Sequence, residues 1–154
     1  MPKEIIDVKA SDNEYLHKDF HGALSVGIEY IDKTYGPDAV IDYLKQFTRA
    51  FYKPLIEDIK NRGLDAIKEH YEKTYSIEGS EVFFESGTNE LIMRVPSCPA
   101  VMHMKTNGYR VADKFIETMR TVNETLCEDT AYSAELLEYD ESTGRSVTRF
   151  FKRD

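Results

Sequence analysis

The segment Val95-Pro96-Ser97-Cys98-Pro99 sets a thiol between two prolines, just past a strand-like run and at the start of a short helical stretch. A thiol at a helix N-terminus faces unpaired amides and the positive end of the dipole, and both favour the thiolate. The chemistry such a group offers is nucleophilic attack. His103, five residues on, could reach the same pocket as the base. Free cysteines are also among the most buried residues, so a plain packing role for Cys98 is the competing reading. The other cysteine, Cys127, follows Leu126 at the end of a helical stripe, where the dipole raises a thiol pKa and the stripe favours burial. Of the two, Cys98 is the expected reactive thiol.

His17 and His21 stand four residues apart on a helical stretch, so both imidazoles project from one face, a spacing that can hold a metal. A bound transition metal would need a further ligand from Asp19, His70, His103, Cys98 or Glu128. The pair lacks the glutamate of a metalloprotease motif, and a polar border beside the apolar stripe is the other reading. No cofactor is expected. Cys127-Glu128-Asp129 puts carboxylates at a helix C-terminus against the dipole, so they leave the helix as turn residues or serve a site.

The elements that would position these groups follow from hydrophobic period. Leu16, Phe20, Leu24, Ile28 and Ile31 predict a helix over 14–34. Tyr35-Gly36-Pro37 stops it and starts a second helix running to about Arg62, with a bend at Pro54, whose ring nitrogen cannot bond Ala50. Gly63 ends that helix, and Leu64, Ile67, Tyr71 and Tyr75 make a third stripe. At residue 81 the period changes to two. Residues 81–85 and 90–95 predict a hairpin around Ser86-Gly87-Thr88-Asn89, and Pro96 closes it. A short helix at 99–105 and a longer one over 111–126 come next. Residues 132–139 and 146–152 then predict a second hairpin around Asp140 to Gly144.

The pattern is α+β: a helical part at about 14–78, then a hairpin-helix-hairpin part at about 80–152, with a four-stranded antiparallel sheet in one domain over 1–154. At 154 residues with 41% apolar side chains, the chain can bury one core and is not disordered. Its net charge of −8 repels a phosphate backbone, which argues against a nucleic-acid partner. Apolar runs are too short for a membrane span, and Lys3, Glu4, Asp7 and Lys9 interrupt any leader-like stretch. A cytoplasmic protein with two free thiols is expected, and a homo-oligomer stays open.

At Cys98-Pro99, at Cys127-Glu128-Asp129 and at the closing Gly144 to Phe150-Phe151, the chain resembles the L-2-amino-thiazoline-4-carboxylic acid hydrolase family. Members carry a strand-terminal Cys-Pro or similar segment, a helix ending in a cysteine followed by an acidic residue, then a strand, a glycine turn and an aromatic-rich last strand. The likeness covers roughly residues 80 to 154. It implies a small-molecule hydrolase that opens a C–N bond of a cyclic amidine. Such an activity needs a nucleophile or activated water, an acid for the leaving group and a cation for the substrate carboxylate. On that resemblance Cys98 is the nucleophile, Asp129 or His103 handles the proton, and Arg94, Arg120 or Arg149 clamps the carboxylate. The chain also looks like the small-ligand-binding domains related to 4-vinyl reductases, which hold a ligand without chemistry. A polar cleft would favour hydrolysis and an apolar tunnel would favour binding alone.

Overall fold

A computed structural model describes residues 14–154, with side chains from Phe20 onward. Helix α1 spans Glu14–Tyr35, and Gly36, at φ 91°, turns the chain into α2, Pro37–Phe51. Pro37 sits in the first turn of α2, where a missing amide costs nothing. Val40, Leu44 and Thr48 form its buried stripe, one residue per turn.

The single bent helix expected to about Arg62 is two helices, α2 and α3 (Lys53–Arg62), broken at Tyr52. Pro54 explains the break, because it falls in the first turn of the new helix instead of the middle of a long one. Continuity is nearly kept: the Tyr52 amide donates to Thr48 O, and the Ile56 amide donates to Tyr52 O, both at 2.9 Å. Gly63 ends α3 at φ 66°, with its Cα so close to the Tyr132 ring that no side chain fits. Helix α4, Leu64–Ile77, buries Ala66, Ile67 and Tyr75.

Strands β1 (Phe83–Gly87) and β2 (Glu90–Val95) form the first hairpin, with Asn89 in the left-handed region at the turn. After α5 (Pro99–Thr106) the chain reaches α6 at Glu117–Glu128, six residues later than the period alone indicates. Before it, Ser25 on α1 holds the segment: its Oγ accepts from the Ala112 amide at 2.9 Å and donates to Arg110 O at 3.3 Å. Residues 112–116 instead turn more tightly, the Phe115 amide donating to Ala112 O at 2.9 Å. Strands β3 (Tyr132–Asp140) and β4 (Arg145–Lys152) complete the second hairpin.

The four strands make one antiparallel sheet in the order β1-β2-β4-β3, as the α+β pattern requires. Leu91, Met93 and Val95 on β2 and Ser146, Thr148 and Phe150 on β4 alternate onto its inner face. There the sheet shares one core with Ile28, Leu44, Ile59, Ile67, Val101, Met104 and Leu126 from the helices. Each large side chain fully buried in this way contributes roughly 1.5–3 kcal/mol. The outer face carries charge: Arg149 meets Glu90 at 2.5 Å, and Arg94 meets Glu85 at 3.5 Å.

One irregularity bears on function. The β3–β4 register runs Leu136 to Thr148, skips a residue, and resumes Glu138 to Val147 and Tyr139 to Ser146. This β-bulge turns Tyr139, and not Glu138, onto the inner face. Among the described residues no helix is long and apolar enough to cross a membrane.

Candidate functional site

A cavity of about 460 Å³ opens where the β3–β4 turn meets α5 and the irregular segment before α6. Lys105, Tyr109, Asp113, Ile116, Tyr139 and Glu141 are on its wall. Among the described residues Lys105 is the one cation there, and it stands beside two carboxylates and two tyrosines. Lys105 Nζ donates to Ser142 O at 2.5 Å and to Glu141 O at 3.3 Å, which fixes the ammonium at the mouth. The turn is locked from within, because Asp140 Oδ1 accepts from the Ser142 amide at 2.9 Å and from Ser142 Oγ at 2.6 Å. Those bonds hold the Asp140 carboxyl below the usual range.

Cys98 lies under this turn. Its amide donates to Thr143 O at 2.9 Å, and its own carbonyl accepts from the Met102 amide as α5 begins. Gly144, at φ 69°, packs so tightly on Cys98 and Val101 that a β-carbon there would overlap both side chains. Cys98 makes no side-chain cap hydrogen bond at this helix start, but the amides of Val101 and Ala100 act to lower its pKa. Burial outweighs those amides: the thiol is 9% exposed and its pKa is raised. The amide-favoured thiolate expected from the sequence is therefore offset by desolvation. Cys127, fully buried, is pushed up further, to about 12, again by burial. Both thiols are free.

Tyr139 belongs to both places. It lines the cavity, and it lies close enough to Cys98 for the thiolate to help raise its hydroxyl, which burial carries up to about 12. Tyr75 on α4 feels Cys98 in the same way, with burial again the larger cause. Glu78, which also raises Cys98, meets His21 of α1 at 2.6 Å.

The remaining candidates are spread over the molecule. His103, on α5, places its ring edge-on to Tyr109 at 6.4 Å, with Asn107 Nδ2 3.3 Å from its Nδ1. It thus backs the cavity through Tyr109. Asp129 is the exposed C-cap of α6. All nine residues of β3, roughly 30 Å at about 3.3 Å per residue, separate Asp129 from the turn over Cys98. Its neighbour Glu128 pairs with Arg49 at 2.5 Å, which accounts for a carboxylate at that helix end. Arg94 and Arg149 decorate the outer sheet face, with Arg149 lying 4.2 Å over the Phe151 ring. Arg120 pairs with the buried Glu117 at 2.7 Å. None of the three arginines is on the cavity wall. The side chain of His17 lies outside the described residues, and His21 is engaged with Glu78. Among the described residues no three His, Cys, Asp or Glu side chains cluster to hold a metal.

Lys105, Asp113, Tyr139 and Glu141 were not singled out by the sequence. Tyr139 could not have been, because its inward direction depends on the bulge. Lys105 could have been, since a lysine in the last turn of α5 is placed to reach the carbonyls of a neighbouring turn. No known family model matches the chain, and no curated protein matches it.

Proposed function

We propose that the protein is a small-molecule hydrolase of the kind that opens cyclic amidines carrying a carboxylate, and that it works in the cavity between α5 and the β3–β4 turn. One observation carries this reading: the cavity is an open cleft of mixed polarity with a fixed ammonium at its mouth, and its wall residue Tyr139 feels the charge of Cys98. An apolar tunnel would have favoured a carrier. Lys105 takes the part of the carboxylate clamp, as a point charge where an arginine would give a fork.

Cys98 supplies the nucleophile once its proton is removed, and the Ala100 and Val101 amides stabilise the thiolate that results. Attack on the amidine carbon gives a tetrahedral adduct. Its collapse breaks the ring C–N bond, with the leaving nitrogen taking a proton from Tyr139 or, through Tyr109, from the His103 side of the cleft. Water then releases the product from sulfur. The setting fits the cytoplasm, where both thiols stay reduced.

A second reading, a ligand-binding domain without turnover, is favoured by the burial of Cys98, which keeps the thiol protonated near neutrality. The separating experiment is a ring-opening assay with 2-amino-thiazoline-4-carboxylate on wild type, Cys98→Ser and Lys105→Ala. Turnover that vanishes in Cys98→Ser and shows a raised KM in Lys105→Ala supports the hydrolase. Binding by calorimetry with no turnover in wild type supports the carrier.

A further inference from the structure

The cavity between α5 and the β3–β4 turn carries a charge that its ammonium does not balance. Among the described residues its wall sets Lys105 against Asp113 and Glu141, and the other wall residues are uncharged, so the wall is net negative. The nearby Arg110 does not restore the balance, because it pairs with Glu29 of α1 at 3.0 Å. Neither wall carboxylate has a hydrogen bond or ion pair to a described residue. Lys105 is the opposite case. An ammonium has three N–H donors, and two of these go to Ser142 O and Glu141 O, which leaves one for a bound anion. A simple anion would meet that single donor and the repulsion of two carboxylates. A cation at the far end of the same ligand turns the repulsion into attraction.

We infer that this cavity selects a small zwitterion, with its carboxylate at Lys105 and its cationic end, an amidinium, guanidinium or ammonium, at Asp113 and Glu141. The rest of the wall suits such a cation. Tyr109 and Tyr139 supply aromatic rings, which attract a cation over their faces. Burial keeps the Tyr139 hydroxyl protonated, and Glu141 lies near enough for its charge to add to that effect. At about 460 Å³ the space falls within the roughly 300–1,000 Å³ usual for small-ligand sites. The inference rests on the small-molecule reading of the cavity but does not require hydrolysis. For a cyclic amidine, the two acids favour the protonated form, whose central carbon is the more electrophilic.

The test is titration of the full chain, followed by ligand-observed NMR, with an open-chain zwitterion and its two halves: guanidinoacetate, methylguanidinium and acetate. 2-Amino-thiazoline-4-carboxylate is titrated alongside. The double variant Asp113→Asn, Glu141→Gln removes both charges at exposed positions with little change of shape, and an unchanged melting temperature checks that the fold is kept. Wild type should bind either zwitterion about tenfold more tightly than each half. The double variant should lose about tenfold for the zwitterions and for methylguanidinium and hold acetate at least as well as wild type. Lys105→Ala should show the reverse pattern. Zwitterion affinity in the double variant equal to wild type overturns the inference. So does an equal loss for acetate and methylguanidinium, and so does a wild type that binds neither zwitterion. Guanidinoacetate bound in the expected charge pattern, with no thiazoline bound, removes the cyclic amidine substrate and leaves the zwitterion site standing. Thiazoline opened by the double variant with unchanged KM keeps the hydrolase and removes the zwitterion site.

Discussion

Tyr139 and Ser146 stand opposite each other across the β3–β4 ladder only because β3 holds one residue more than β4 between Leu136 and Glu138. In an unbroken register Glu138 would occupy that place and bring a carboxylate to the interior. The bulge thus decides whether a phenol or an acid stands opposite Ser146 on the inner face. It also ties the cavity to the sheet: Asp140, the next residue, anchors the turn that Lys105 grips.

The thiols give the first prediction. Burial raises both, but only Cys98 has nearby amides that act to lower its pKa. Iodoacetamide should label Cys98 before Cys127 in the native protein, slowly at pH 7 and about tenfold faster per pH unit towards pH 9. Peptide mass spectrometry reads the order. Earlier labelling of Cys127 would remove Cys98 from the nucleophile role.

Alkaline stability gives the second. Cys127 titrates near 9 when unfolded and at about 12 when folded. The folded state therefore holds a proton that the unfolded state has lost between those values, and stability falls as pH rises from 9 towards 12. The share of this thiol is about 4 kcal/mol at most, from about 1.4 kcal/mol per pH unit. Urea midpoints measured from pH 8 to 11 should decline in wild type and decline less steeply in Cys127→Ala. Parallel slopes would refute the assignment.

On the acid side the candidate is His70, whose ring lies edge-on to Tyr52 and Tyr71 at 5.6 and 4.9 Å. Burial, helped by Lys73, lowers its pKa below the ordinary 6.5. Stability from this group is complete above 6.5 and is lost as pH falls through the lower folded value, because only the unfolded chain takes the proton. His70→Phe should flatten the fall in melting temperature between pH 6.5 and 4.5. A wild-type profile that is flat over that window would contradict it.

Gly144→Ala is the fourth test. Its φ of 69° disfavours any β-carbon, and the space is already filled by Cys98 and Val101. The variant should lose about 3 kcal/mol, seen as a lower urea midpoint at unchanged slope. A loss under about 1 kcal/mol would mean that α5 can retreat from the turn, loosening the account of how Cys98 is placed.

Much of the fold could be read from period alone. Leu91, Met93 and Val95 alternate cleanly, and Ile41, Leu44, Phe47 and Phe51 announce a helix at α2, although its buried stripe is Val40, Leu44 and Thr48 and Phe51 faces out. The late start of α6 could not be read, since the segment before it is held by Ser25, 87 positions before Ala112. The split at Tyr52 was half legible, because Pro54 fits equally a kink inside one helix and the first turn of the next. For the site, Cys98 was visible through Pro96 and Pro99, which punctuate a strand end and a helix start. Its burial was not, because the turn that packs on it, Thr143-Gly144, comes some 45 residues later in the chain. Asp129 looked equivalent to any other candidate until the strand between it and Cys98 acquired a direction.

The order β1-β2-β4-β3 gives each hairpin one outer and one central strand, and the only seam between them is β2 against β4. The connection carrying α5 and α6 passes through Asn107 to Arg110, all exposed. A chain cut between Asn107 and Gly108 would leave the seam intact but divide its owners, so that each fragment holds half of an inner face and only part of the helices that cover it. Neither piece should show a cooperative melt by itself, and the two mixed should recover one. The molecule is in this sense a built-in two-part reporter, with Lys105 on one fragment and Tyr139 on the other, so that the cavity wall is whole only on reassembly.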